Sequence, residues 1–162
     1  MDAGETYAIL RLGVHHYYGE NGYPQDYTKA LELWHRAAEL GYSESCCNIG
    51  YAYEHGQGVV VDKSKANHYY ELAAIGGNTT ARCNLGIICR DSGNMDRALK
   101  HFMIAARGGD TESLTFIKRM YFFGDASKGD YTKALQFYQA YLGEIKSIQR
   151  DKAAAADEEN YY

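Results

Sequence analysis

Large aromatic residues follow an alanine at a helical spacing in four segments of the chain. In each segment the aromatic side chain comes four residues after the alanine, which places both on one face of a helix. The four aromatic residues are Trp34, Tyr70, Phe102 and Tyr138. This pattern predicts four amphipathic helices, which we name B helices, near residues 26–40, 62–75, 95–107 and 131–155.

A second set of segments, upstream of the first three B helices, carries an apolar residue followed by glycine. Leu12-Gly13, Ile49-Gly50 and Leu85-Gly86 are these pairs. Small residues on a helix let a partner helix approach closely, so we expect each segment to pair with the B helix that follows it. The predicted A helices lie near residues 5–18, 44–55, 79–91 and 112–123.

Polar residues and glycines mark the predicted ends of the B helices. A short side chain with an oxygen atom can accept from the free N–H groups of a first helical turn. Glycine tolerates the left-handed conformation that commonly ends a helix. The expected N-cap residues are Asp26, Asp62, Asn94 and Asp130, and the expected terminal glycines are Gly41, Gly77 and Gly109.

The hexapeptide Asp-Tyr-Thr-Lys-Ala-Leu occurs twice, at residues 26–31 and 130–135. The related segments 62–66 and 94–98 lie between these copies, so the chain contains four copies of one unit. We place the repeats at about 5–41, 42–77, 78–109 and 110–145, within a single domain over residues 1–162. Residues 146–162 are then a C-terminal cap and tail.

The repeated residues resemble the Sel-one-like repeat, a relative of the tetratricopeptide repeat. The second copy matches best, through Ile49-Gly50, Tyr53, Gly56-Gln-Gly58-Val59, Asp62, Lys65-Ala66, Tyr70, Ala73-Ala74 and Gly77. The resemblance implies an all-α fold, a right-handed α-solenoid of four helix-turn-helix repeats. It also implies a scaffold or adaptor that binds other proteins through the solenoid surface.

The fourth repeat departs from the pattern, with Lys118 in place of glycine and Tyr141-Leu142 in place of two alanines. A solenoid end has no further repeat to cover it, so it needs a polar outer face. We therefore expect a long C-terminal capping helix, with Asn160-Tyr161-Tyr162 frayed. Its apolar stripe is expected at Tyr138, Tyr141, Leu142, Ile145 and Ile148, with Lys146, Arg150, Asp151 and Lys152 facing water.

In tetratricopeptide-like arrays the A helices line the concave face, and the resemblance carries this over to the present chain. Tyrosine and arginine are favoured interface residues, and paired amides could hold the backbone of an extended peptide. The predicted protein- or peptide-binding residues are Tyr17, Asn48, Tyr51, Glu54, Asn84, Ile87, Arg90, Arg119 and Phe122. Each tyrosine could instead pack between repeats, and the paired Asn48 and Asn84 could reflect repeat copying alone.

The net charge and the cysteine spacing indicate which classes of partner and which cellular location to expect. The formal net charge is −4 with both signs interspersed, so we expect no nucleic-acid or membrane partner. No signal peptide or membrane span is visible, and the cysteines Cys46, Cys47, Cys83 and Cys89 lack paired zinc spacing. We expect reduced thiols, a cytoplasmic location, a monomer, and no metal or cofactor.

Three functions remain open from the sequence. The favoured hypothesis is a non-enzymatic interaction module that binds a protein or peptide on its concave face. The alternative is the substrate-recruiting repeat fragment of a larger, ubiquitin-ligase-like or other multidomain protein. Cys/His pairs at zinc spacing upstream of Met1 would favour the ligase. The third is an enzyme with Cys83 or Cys89 as nucleophile, although a solenoid offers no obvious closed pocket.

Overall fold

The computed structural model describes the backbone of residues 3–159 and the side chains of residues 4–152. This part of the chain forms eight α-helices and no strand. In chain order they are α1 (Ala3–Tyr18), α2 (Tyr27–Glu39), α3 (Ser43–His55), α4 (Lys63–Ile75), α5 (Thr79–Asp91), α6 (Met95–Arg107), α7 (Thr111–Phe123) and α8 (Lys128–Glu159). All eight predicted helices are therefore confirmed.

Helix A and helix B of a repeat pack closely because glycine on one helix faces an aromatic ring on the other. A Cβ atom added at Gly13 would lie 2.6 Å from Nε1 of Trp34, and one added at Gly50 would lie 2.7 Å from Cδ1 of Tyr70. Both rings are almost fully buried. A methyl group at either glycine would therefore force the two helices apart, as the Leu/Ile-Gly pairs predicted.

Three of the four predicted N-caps are confirmed. Asp26, Asp62 and Asn94 each accept a hydrogen bond from the backbone N–H three residues later, at 2.8, 2.9 and 3.1 Å. The prediction for Asp130 was wrong, because α8 begins at Lys128.

The beginning of α8 is organised by a reciprocal pair of bonds between Ser127 and Asp130. The Asp130 carboxylate accepts from the backbone N–H and the hydroxyl of Ser127, at 2.9 and 2.6 Å. In return, the Asp130 N–H donates to the Ser127 hydroxyl at 3.1 Å. This capping box adds a turn to the helix, and the bonds from Ser127 lower the pKa of Asp130.

The terminal glycines of the first three B helices adopt the predicted left-handed conformation, with φ of 88°, 86° and 91° at Gly41, Gly77 and Gly109. In each case the glycine N–H donates to the second alanine of the preceding Ala-Ala pair. The next residue donates to the first alanine of that pair. The motif Ala-Ala-x-x-Gly is thus a helix-ending motif that satisfies two free carbonyl groups.

The chain divides into two compact units, the first ending at Ile88 and the second beginning at Cys89. In unit one, α1 packs on α2, α2 on α3, and α3 on α4. Its core holds the rings of Trp34 and Tyr70, with Leu10 and Ile49 among the residues around them. In unit two, α6, α7 and α8 pack on one another around Phe102 and Ile117, both fully buried.

The capping helix covers the end of the third repeat with a tyrosine in place of an alanine. A Cβ atom added at Gly109 would lie 2.2 Å from the ring of Tyr141, so the ring rests directly on that glycine. Of the predicted apolar stripe, Tyr138, Tyr141 and Ile145 are half-buried, while Leu142 and Ile148 are exposed. The four polar residues expected to face water are exposed. The prediction for residues 160–162 lies outside the described residues.

We expect Gly109→Ala to destabilise the protein more than the matched variant Gly77→Ala. Both substitutions place alanine in the left-handed region, which costs about 1–2 kcal/mol. Only Gly109→Ala also meets a ring, because no atom lies within 4 Å of the Cβ position at Gly77. The displaced Tyr141 should add about 1–3 kcal/mol to the loss of unfolding free energy.

Denaturant titration of both variants, followed by circular dichroism, measures this difference. The control is Gly109→Ala made in a Tyr141→Ala background. Without the ring, the loss of unfolding free energy relative to Tyr141→Ala alone should equal the loss caused by Gly77→Ala. Equal losses for the two single variants would contradict the packing of Tyr141 on Gly109.

Candidate functional site

The candidate site in unit one is an open groove along α1, α3 and the beginning of α5, with a volume of about 420 Å³. We call it the unit-one groove. It is lined by Arg11, Val14, Tyr17, Tyr18, Trp34, Glu44, Cys47, Asn48, Tyr51, Thr80 and Asn84. Ten of these residues come from A helices, and Trp34, on α2, is the exception.

The floor of the unit-one groove is apolar. Trp34 is 3% exposed and Cys47 is 7% exposed, so each presents only a small edge to the groove. The ring of Tyr17 lies beside Trp34, with 5.3 Å between ring centroids. An apolar floor of this kind can bury an apolar side chain of a bound segment.

Tyr17 is held rigidly at the wall of the groove. Its hydroxyl donates to the side-chain oxygen of Gln57, and its ring packs edge-on against Tyr27 at 5.2 Å between centroids. Burial raises the pKa of Tyr17 to about 12. The phenol therefore stays neutral at physiological pH, and its hydroxyl is already used within the protein.

Asn48 and Asn84 occupy equivalent positions of α3 and α5, and both line the unit-one groove. Both are half-buried, and neither side-chain amide has a hydrogen-bond partner in the part of the chain that the structure describes. Each amide offers two donor hydrogens and an acceptor oxygen. The pair can therefore bond to two different peptide groups of one bound segment.

Other predicted site residues of unit one lie outside the groove lining or at its edge. Tyr51 is 42% exposed and stacks on His55 at 4.0 Å between centroids. Glu54 accepts a 2.7 Å hydrogen bond from the hydroxyl of Tyr70, and Lys63 lies 3.6 Å from its other oxygen. Burial, with this bond as the second cause, raises the pKa of Tyr70. Ile87 is half-buried and does not line the groove.

Unit two places two predicted residues, Arg90 and Arg119, around a separate pocket of about 350 Å³. We call it the unit-two pocket. Phe122 is 82% exposed on α7 and does not line it. The pocket is completed by Met95, Phe116, Met120, Phe123 and Asp125.

Sequence reasoning missed several of the residues that form these two cavities, among them Trp34, Phe116, Met120 and Asp125. Trp34 was predicted on the face of a B helix that also carries Ala30, and the edge that it shows to the groove has no sequence signal. Phe116 could have been found, because it occupies the position of Asn48 and Asn84 in the repeat. Met120 and Asp125 gave no signal, since one is at a core position and the other in a loop.

The cysteines are free thiols, with Cys47 and Cys83 buried and Cys46 and Cys89 half-buried. Burial raises the pKa of Cys47 to about 12 and also raises that of Cys46. Since the thiolate is the reactive form, burial makes both poor nucleophiles. Among the described residues, no group of three His, Cys, Asp or Glu side chains is placed to hold a metal ion. Within the same residues, no helix combines the length and apolarity needed to cross a bilayer.

The chain matches the family model of the Sel1 repeat four times, at residues 6–42, 43–78, 81–110 and 119–140. Among curated proteins it is 34% identical over 70 residues to the ERAD-associated E3 ubiquitin-protein ligase component HRD3A of Arabidopsis thaliana. That match covers 43% of this chain and 10% of the relative. A match to the DAP3-binding cell death enhancer 1 of Rattus norvegicus is 31% identical, over 74% of this chain and 31% of the relative. The chain thus spans about a tenth to a third of the length of these relatives.

Two solved structures resemble the fold. A Sel1 repeat protein from Oxalobacter formigenes has a TM-score of 0.72 and 27% identity, over 86% of this chain and 58% of the other. A protective antigen of uropathogenic Escherichia coli strains with an SLR fold has a TM-score of 0.70 and 32% identity, over 88% of this chain and 31% of the other. These matches confirm the predicted all-α, Sel-one-like solenoid class. Because the family model matches four successive segments that together make up well over half of the sequence, the chain belongs to the Sel1 repeat family.

Proposed function

We propose that this chain is a non-enzymatic protein-interaction module that binds an extended segment of a partner protein along its A helices. The observation that carries the proposal is the pair of unpartnered amides, Asn48 and Asn84, above the apolar floor of the unit-one groove. Extended peptides present a backbone donor and acceptor at almost every residue. Two side-chain amides along the groove can therefore each find a backbone group of the same bound segment.

The relatives support a role in binding or regulation. One is named as a component of a ubiquitin ligase, another as a DAP3-binding protein, and a third as chitin synthase regulatory factor 4 of Schizosaccharomyces pombe. The third is 29% identical over 112 residues. These names describe attachment to other proteins or control of them, which supports a protein partner for the present chain.

A second candidate function is the recruiting part of a larger, ligase-associated protein. The match to HRD3A, of which the chain spans 10%, favours it. Under this proposal the same groove binds the recruited protein, and the catalytic step belongs to another subunit. The free thiols of the described cysteines support a reducing, cytoplasmic setting for either function.

We expect the double variant Asn48→Ala, Asn84→Ala to capture its partners about five- to 150-fold more weakly. Each amide should contribute about 0.5–1.5 kcal/mol through its hydrogen bonds to the partner. Because neither amide bonds within the described protein, the melting temperature should stay nearly unchanged. Affinity capture with quantitative mass spectrometry measures the effect, followed by titration of the most strongly depleted partner.

Asn67→Ala is the matched control, since this amide lies on α4 and bonds to Glu71 rather than lining the groove. It should leave capture unchanged. Undiminished capture by the double variant would contradict the groove as the binding site. A large drop in its melting temperature would instead show that the amides are structural.

We expect the Cys47 thiol to react on the order of a thousandfold more slowly in the folded chain than in the chain unfolded in denaturant. Its pKa of about 12, raised by burial, leaves very little thiolate at pH 8, whereas a free thiol titrates near about 8.5. Iodoacetamide labelling with peptide mapping measures the rate at each cysteine. A single cysteine that reacted faster in the folded chain than in the unfolded chain would favour the enzyme hypothesis.

A further inference from the structure

The unit-two pocket has an apolar interior and a charged rim. Met95, Phe116 and Met120 form the interior, and Met120 is only 5% exposed. Arg119 and Asp125 stand at the rim, both exposed. Neither has an ion-pair or side-chain hydrogen-bond partner among the described residues. The pocket therefore offers an apolar cavity with the unpaired guanidinium group of Arg119 and the unpaired carboxylate of Asp125 at its rim.

Alignment of the repeats identifies the residues of unit one that are equivalent to those of the unit-two pocket. Arg90, Met95 and Asp125 are equivalent to Tyr17, Tyr27 and Gln57. In unit one, the protein itself fills this place with a phenol. The ring of Tyr17 packs against Tyr27, and its hydroxyl donates to Gln57.

Unit two lacks that phenol. The guanidinium group of Arg90 turns to Asp91, with bonds of 2.9 and 2.8 Å from Nε and Nη2, and lies over the ring of Phe116 at 5.0 Å. It forms no bond to Asp125. The acceptor at the position of Gln57 is thus present in unit two, while the donor that satisfies it in unit one is missing.

We propose that the unit-two pocket binds a tyrosine side chain of the partner protein, whose hydroxyl donates to Asp125. The ring packs between Met95, Phe116 and Met120, where methionine sulfur and aromatic edges are favourable neighbours of an aromatic ring. Arg119 pairs with a carboxylate beside that tyrosine in the partner. The partner thus supplies the group that Tyr17 supplies within unit one.

The charges at the rim distinguish a tyrosine from related side chains. A phenylalanine would fill the apolar interior but would leave the carboxylate of Asp125 partly desolvated without a donor, which is unfavourable. A phosphotyrosine would bring negative charge to Asp125, and like charges at short range repel. The free phenol supplies both an aromatic ring for the apolar interior of the pocket and a donor for Asp125.

This inference rests on the proposed function, because it names what a partner contributes at α7. Its test uses defined peptides on the full chain, so it can fail while capture through Asn48 and Asn84 succeeds. The probes are acetyl-Glu-Tyr-Ala-amide and acetyl-Glu-Phe-Ala-amide, titrated at millimolar concentration and followed by two-dimensional ¹H–¹⁵N NMR. We expect saturable shifts at Arg119, Met120 and Asp125, and about three- to tenfold tighter binding of the tyrosine peptide.

Variants assign that preference to the proposed atoms. Asp125→Ala should bind the two peptides equally, while Asp125→Asn should keep a preference for tyrosine, because an amide oxygen accepts the phenol as Gln57 does. Arg119→Gln should weaken both peptides. Arg97→Gln, an exposed change on α6 outside the pocket, should weaken neither.

The proposal is overturned by any of three results. They are no saturable shift around the pocket, equal affinity of the two peptides for the unaltered chain, or a tyrosine preference that survives Asp125→Ala. Tighter binding of the phosphorylated tyrosine peptide would also overturn it, because the site would then recognise phosphate. Unchanged spectra elsewhere in Asp125→Ala show that the variant is folded, as expected for a side chain on the surface.

Discussion

The structure depends on the contact between a glycine of helix A and an aromatic ring of helix B. At Gly50 the ring of Tyr70 lies too close for a Cβ atom to fit, and at Gly13 the ring of Trp34 does the same. This contact sets the distance between the helices of a hairpin. It also determines which helix faces remain free, because the side of helix A that meets the ring cannot also meet a partner. The unit-one groove therefore lies largely on α1 and α3, whose other side is committed to packing.

Local chemistry explains why most of the fold could be predicted from the sequence. The caps at Asp26 and Asp62 and the left-handed glycines act within a few residues, so their consequences can be read along the chain. Asp130 misled the prediction because the same hexapeptide follows a different neighbour. With Ser127 three residues earlier, the carboxylate completes a capping box, and the helix begins before the aspartate. Identical hexapeptides thus have different roles when the preceding loop differs.

The candidate sites were less predictable, for a physical reason. The repeat phase located Asn48 and Asn84 on one face, but whether their amides are free depends on what other side chains do nearby. Glu54 was predicted on the same face with equal support, yet it accepts the hydroxyl of the buried Tyr70. Pattern assigns a residue to a face, while its hydrogen-bond partners decide whether it is available to a ligand. The open space beside Asp125 exists because unit two has no counterpart of the Tyr17 ring. A pattern of the residues that are present does not predict such a space.

Repetition makes such an absence informative. Two units built on one pattern place equivalent backbone positions in similar surroundings, so a difference between them can be assigned to the side chains that changed. Tyr17 and Gln57 satisfy each other in unit one, whereas Arg90 and Asp125, in the same positions, do not. Arg90 instead bonds to Asp91, a residue that follows it on the same helix and has no acidic counterpart after Tyr17. Since burying either free rim group without a partner would be unfavourable, a ligand of the unit-two pocket has to bring a donor and an acceptor together with its apolar surface.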